Sequence, residues 1–160
     1  SNEEVLSPIE GTVVALSEVP DPAFASEAMG KGIAIQPTTG RVVAPFDGTI
    51  TVAFKKKHAL AVVSHHGAEV LIHVGVDTVK LDGKHFTSYI KEGDQVKAGD
   101  LLLEFDVEQI KAEGYPTITP VIITNSSEYT EILPIPQGQV TEQAPLLKLS
   151  SAPNEQAGNA

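Results

Sequence analysis

Apolar and polar positions in this chain alternate over short distances. The runs "GTVVAL", "KGIAIQP", "GTITVAF", "ALAVV", "AEVLIHVGV", "DLLLEFD", "TPVIIT" and "PLLKL" are rich in Val, Ile, Leu and Thr, and Gly or Pro separates them. In one of them Ile50, Val52 and Phe54 point one way, while Thr49, Thr51 and Ala53 point the other. Many short strands bounded by turns predict an all-β fold, an antiparallel β-sandwich or barrel-like structure. Helix is expected in two short pieces. One is "DVEQIKAEG", with Asp106 as N-cap and Gly114 as its stop, and the other is "GKHFTSYIKEG". There is also an internal echo. "SPIEGTVV" (7–14) matches "APFDGTIT" (44–51) at an offset of 37, and "KEGDQVKAGDLL" (91–102) reads as a third cousin. Each predicts a tight turn into a strand, with Gly supplying positive φ. A sandwich built by duplicating β-motifs fits this better than a solenoid.

The length of 160 residues with 41% apolar content suits one domain with a real core. Residues 5–150 are expected to form it. Residues 1–4 read as a disordered start or tag remnant, and 151–160, "SAPNEQAGNA", as a disordered tail. No apolar run is long enough to span a bilayer, and neither a signal peptide nor an amphipathic anchor is evident, so a soluble cytoplasmic domain is expected. Cysteine is absent, which excludes disulfide and thiol chemistry in this chain. A formal net charge of −10 argues against nucleic acid as a partner and suits basic protein surfaces.

The stretch "HALAVVSHHGAEVLIHVGVDTV" holds four histidines within sixteen residues. As a strand, "VLIHVGV" puts His73 on one face with Leu71 and Gly75, and Val70, Ile72, Val74 and Val76 on the other. Gly75 leaves space beside the ring. In "HALAVV", His58 shares a face with Leu60 and Val62. If the two strands form an antiparallel hairpin through "SHHGAE", both rings meet over one apolar surface. His65, His66 and His85 read as solvated turn residues, Lys55–Lys57 as a solvated loop, and Asp77 and Thr78 as a turn cap.

Paired imidazoles on an apolar face admit three chemistries. Zinc is one, but His58 and His73 supply only two ligands, and there is no HxH or HxxxH spacing and no Cys cluster. No dedicated metal site is therefore expected, only adventitious zinc. Hydrolysis through Ser64 and Asp77 is a second, but the serine lacks a nucleophile elbow. Covalent carriage is the third. A neutral imidazole nitrogen is nucleophilic near pH 7, and a second ring can donate to the phosphoryl oxygens. A surrounding apolar rim would let a partner dock and expel water.

The motif "HVGVDTVKLDGKHF" is similar to the phosphohistidine signature of glucose-type IIA domains of the bacterial sugar phosphotransferase system. "SPIEGTVVALSEVPDPAFASEAMGKGIAIQP", "APFDGTI", "KHA", "EGDQVKAGD", "LLEFD" and "TPVIITN" match in the same order. The resemblance implies an antiparallel sandwich without a cofactor, in which His73 takes phosphate from the carrier protein HPr and His58 hydrogen-bonds the phosphoryl group. Asp21 and Asp77 correspond to acids that face partner arginines. Phe24, Met29, Phe54, Leu60 and Leu71 correspond to an apolar docking rim, with Gly75 and Thr78 in support. The acceptor would be a cysteine of a IIB domain, on another chain or another part of a permease. Regulatory targets are a further kind of partner. Lys56 stands where the family often has Thr, which removes a hydroxyl that can orient His58, although its charge could act near the phosphate. Val74 stands in place of a frequent Phe, a packing variation. Two competing readings are a regulatory IIA-like module that carries no phosphate and a biotinyl- or lipoyl-like carrier domain. The latter needs a lysine at a hairpin tip.

Overall fold

The computed structural model describes residues 2–152. Fourteen short strands carry it: β1 (Asn2–Leu6), β2 (Gly11–Val14), β3 (Lys31–Pro37), β4 (Arg41–Val43), β5 (Gly48–Ala53), β6 (Ala59–Ser64), β7 (Glu69–His73), β8 (Phe86–Ser88), β9 (Gln95–Val96), β10 (Leu101–Phe105), β11 (Thr119–Ile123), β12 (Glu131–Pro134), β13 (Gln139–Val140) and β14 (Pro145–Ser150). An eight-stranded sheet runs β13-β2-β3-β11-β7-β6-β5-β9, and two three-stranded sheets run β1-β14-β12 and β4-β10-β8. Every pairing is antiparallel.

One core joins the three sheets. Ile35, Val62, Ile72 and Val121 of the large sheet pack with Val5, Leu147 and Leu149 of one small sheet and Val42, Leu103 and Phe105 of the other. The alternation of the sequence serves this layering, because one face of each strand enters the core. The large sheet is unusual in burying part of its second face as well. Leu16, Val19 and Phe24 cover Ala34, Ala59, Leu71 and Ile122 there. The cover is a 3₁₀ turn (Leu16–Glu18) followed by α1 (Pro22–Ala25). Asp21 caps α1 by accepting from the Ala23 amide at 3.0 Å, and Pro22 occupies its first position, where a missing N–H costs nothing.

α2 (Val107–Ala112) forms where "DVEQIKAEG" predicts it, with the Asp106 carboxylate accepting from the Gln109 amide at 3.0 Å. The second predicted helix does not form. Gly83 and His85 adopt left-handed φ of 86° and 75°, and Phe86–Ser88 becomes β8, with Phe86 opposite Phe105. The ring stack between these two residues, centroids 6.2 Å apart, is available only in the sheet arrangement. Residues 2–4 are not a disordered start either. They belong to β1, which pairs with β14 and buries Val5 completely. Of the predicted disordered tail, residues 153–160 lie outside the described residues, as does Ser1.

The internal echo is a real structural repeat with a different logic from the one expected. Gly11 and Gly48 begin β2 and β5 in ordinary extended backbone. What each requires is room, since a Cβ would lie 2.2 Å from the Gln36 carbonyl oxygen and 2.1 Å from that of Val63, respectively. "KEGDQVKAGDLL" is not a third copy. Its Gln95–Val96 pairs with Thr49–Gly48, just as Gln139–Val140 pairs with Thr12–Gly11. The chain therefore contains two related pairs of strands.

β1 and β14 bring Asn2 opposite Ser150. Asn2, Glu3 and Ser151 line a shallow hollow with His66 and Gly67 of the β6–β7 turn. Asn2 and Ser151 thus lie beside the tip of that hairpin, and the histidine pair lies at its base.

Candidate functional site

β6 and β7 form a regular hairpin in which Ala59 faces His73 and Leu60 faces Ile72. His73 ends β7 and stays half-buried. Its Nδ1 lies 2.8 Å from the Gly75 carbonyl oxygen. A carbonyl only accepts, so Nδ1 carries the proton and donates, and the lone pair sits on Nε2. Gly75 makes this possible by adopting φ +80°, which turns the chain back on itself. A Cβ there would meet the Pro116 carbonyl oxygen at 2.6 Å and Thr78 Cγ2 at 2.5 Å. The Gly75 amide donates to Ile118 O at 3.1 Å, and the buried Thr78 hydroxyl donates to the Val74 carbonyl. The turn that fixes the His73 tautomer is thus tied down on both sides. It also ends the period of two, so Val76 joins Leu71 in the smaller core instead of the face shared by Val70, Ile72 and Val74.

The His58 ring stands 4.9 Å from that of His73, nearly edge-on at 82°. Strict alternation would not put it there. Leu60 and Val62 point into the principal core, and His58 would follow them. But β6 begins at Ala59, and a turn precedes it in which the Lys57 amide donates to Phe54 O and Lys57 takes φ +69°. That turn frees His58 from the strand period. The ring is 3% exposed and rests against Phe54, with centroids 5.6 Å apart. Its Nδ1 is enclosed without a hydrogen-bond partner. Donation to a group carried by the neighbouring ring therefore falls to Nε2.

Burial dominates the protonation of both rings. It lowers His58 to about 4, helped by the adjacent His73 and opposed slightly by the backbone of Lys56. Burial also lowers His73, against the opposing pull of the Gly75 carbonyl, Asp21 and Asp77. Both imidazoles are thus neutral at pH 7, the state in which Nε2 is nucleophilic.

His73 opens onto a hollow of about 330 Å³ lined by Phe24, Leu71, Met29, Phe54, Asp21 and Asp77, whereas the buried His58 does not line it. Phe24 and Leu71 make the buried floor, and Met29 and Phe54, 43% and 40% exposed, make the rim. Phe24 also packs on the His73 ring at 5.0 Å. Val79, 48% exposed, completes the rim and was not anticipated, because a single Val after a turn carries no periodic signal. Leu60 must be removed from the rim. It is fully buried in the principal core, opposite Ile72, since its strand parity points away from the hollow. Lys56 does not add charge to the site, because its ammonium pairs with Asp82. Among the described residues no cluster of three or more metal-ligating side chains occurs.

The model of the phosphoenolpyruvate-dependent sugar phosphotransferase system EIIA 1 family matches residues 3–129. The chain belongs to this EIIA family. It is 53% identical over 148 residues to a beta-glucoside-specific EIIBCA component of Dickeya chrysanthemi, covering 92% of this chain and 24% of that protein. It is 44% identical over 137 residues to a glucose-specific EIIA component of Oceanobacillus iheyensis, covering 86% of this chain and 83% of the relative. Its fold matches the glucose permease IIA from Mycoplasma capricolum with a TM-score of 0.86 at 33% identity, over 92% of this chain and 96% of the other. The chain thus spans about a quarter of the length of the beta-glucoside relative. No helix of this EIIA chain is long and apolar enough to cross a membrane, among the described residues.

Proposed function

We propose that this chain is a phosphoryl carrier of sugar uptake, working in the cytoplasm as a free or tethered IIA domain. HPr would be the donor and a IIB cysteine the acceptor. The observation that carries the reading is the neutral His73 ring, with Nδ1–H held by the Gly75 carbonyl, its centroid 4.9 Å from that of a second imidazole, and the ring lining an apolar hollow. In the first step the Nε2 lone pair of His73 attacks phosphorus, the new N–P bond forms, and the donor N–P bond breaks with its electron pair returning to the donor ring. In the second, a thiolate attacks, the S–P bond forms, and the pair returns to Nε2. Nδ1 keeps its proton in both.

The other residues serve these steps. The Nε2–H of His58 stabilises the phosphoryl oxygens, and burial against Phe54 holds that donor in place. Asp21 and Asp77 orient the partner's cation, which supplies the positive charge the transfer needs. The apolar rim excludes water, so the phosphohistidine reaches its acceptor before hydrolysis. Because both bonds are labile, positioning rather than activation dominates the rate.

Incubation with phosphorylated HPr followed by mass spectrometry tests this. The wild type and His58→Gln should each gain one phosphoryl group, and His73→Gln should gain none. His58→Gln should then pass its phosphate to IIB about a hundredfold more slowly, the usual loss for one oxyanion donor. A mass gain in His73→Gln equal to wild type overturns the assignment and favours a module that carries no phosphate at this site. The β5–β6 turn does present lysines, as a biotinyl or lipoyl carrier requires, but Lys56 at its centre is ion-paired with Asp82.

A further inference from the structure

Phe54 is a wall shared by two hollows. On one side is the histidine hollow, whose charged lining is Asp21 and Asp77. On the other is a groove of about 400 Å³ lined by Lys55, Lys57, Lys91 and Glu92. Three cations against one carboxylate is a conspicuous excess in a chain with a net charge of −10 and only 11 Lys and Arg. Two nearby lysines are paired instead, Lys56 with Asp82 and Lys84 with Glu113. Lys55, Lys57 and Lys91 have no ion-pair partner among the described residues.

The backbones that carry these lysines are fixed. Lys55 and Lys57 belong to the turn closed by Lys57 N–H donating to Phe54 O at 2.9 Å. The Lys91 amide donates to the Asp94 carboxylate at 2.9 Å, and Gly93 and Ile50 tie that turn to β5. The groove is therefore a fixed positive edge beside a fixed negative one, separated by one aromatic ring.

We propose that the lysine groove docks an acidic segment of the same protein that meets Asp21 and Asp77 with its cation. The inference rests on the phosphoryl-carrier reading for the identity of that partner. A partner with a cation at the histidine hollow and carboxylates one ring-width away fits in one orientation only. Rotated by half a turn, it would set like charges against each other on both sides of Phe54. The groove thus selects the docking angle that brings the reacting atom over His73, and rim charges of this kind act chiefly on encounter rate and on salt dependence.

The test uses calorimetric or fluorescence titration of the unphosphorylated chain with purified HPr and, separately, with a purified IIB domain. The charge-reversed variant Lys55→Glu/Lys57→Glu/Lys91→Glu should weaken at least one of the two complexes by about tenfold or more near 50 mM salt. The wild-type advantage should shrink as salt rises. The neutral triple variant to Gln should fall between the two and covers the case in which the reversed variant does not fold. Affinities for both proteins within twofold of wild type, in the neutral variant or in a folded charge-reversed one, overturn the proposal. Phosphorylation of the wild type at His73 is followed in parallel. Its absence would remove the carrier reading, whereas intact phosphorylation with unaltered affinities would remove the groove alone.

Discussion

Phosphorylation of His73 should switch the protonation of His58. In the unmodified chain, burial first and the electrostatic effect of His73 second hold His58 at about 4, so the ring is neutral at pH 7. A phosphoryl group on His73 Nε2 brings between one and two negative charges into the hollow. As a lower bound, one charge at the ring separation of 4.9 Å, in an effective dielectric of about 20, attracts an imidazolium by about 3 kcal/mol. That is worth a little over two pH units, enough to bring His58 to about 6 or above. The charged ring then donates through Nε2 with about twice the strength of a neutral one, just when the phosphoryl group must be steadied. Long-range proton–nitrogen NMR of labelled imidazoles, titrated through the neutral range with and without phosphorylation, measures this directly. A His58 titration that moves by less than half a pH unit on phosphorylation would refute the reasoning, because the ring could not then be facing the phosphoryl group.

Two further outcomes follow from the same geometry. The folded-state pKa of His58 lies below its ordinary value near 6.5, so its neutral burial is undisturbed above that pH and unfolding becomes easier as pH falls toward 4. The loss amounts to about 3 kcal/mol over that window. The difference in unfolding free energy between the wild type and His58→Gln, measured with urea at pH 7 and again near pH 4.5, should shift in favour of the variant at the lower pH. An unchanged difference would mean that the ring stays solvated. Gly75→Ala should cost about 2–4 kcal/mol, since it combines φ +80° with a Cβ 2.6 Å from the Pro116 carbonyl oxygen. It should also slow phosphoryl uptake, by displacing the acceptor of His73 Nδ1. Normal thermal stability together with normal uptake would show that the turn tolerates a side chain.

Much of the architecture could be read from alternation. β6, β7, β10 and β11 follow their apolar runs, because each has at least one face in the core and side-chain period is a direct signal of that. β5 follows it only as far as Ile50: a register shift between Ile50 and Val52 leaves Val52 and Phe54, each 40% exposed, off the face that buries Ile50, and Ala53 packs against the core instead. α2 was readable from its Asp106 cap. The errors arise where one residue overrides the period. Lys57 and Gly75 take left-handed backbone at the two ends of the site and rotate His58 and Val76 away from the faces that counting assigns them. Leu60 was misplaced for the complementary reason, since it obeys the strand period and so faces away from the site. β8 is three residues long, too short for any periodicity, and it exists because Phe86 finds Phe105. Residues 2–4 are ordered by a partner strand more than a hundred positions away, which no local pattern announces. The histidines were found because titratable rings inside apolar runs are conspicuous. Val79 and the lysine groove stayed hidden because their meaning depends on what lies across Phe54.

The pairing of the first and last strands sets how this molecule can be handled and attached. Asn2 and Ser151 both sit at the tip of the β6–β7 hairpin, and β6, at six residues, separates that tip from the reactive pole by roughly 20 Å. A leash, label or chip surface fixed at Asn2 or Ser151 therefore holds the molecule by its back. The working face is left pointing outward, free to sweep the volume that the leash allows.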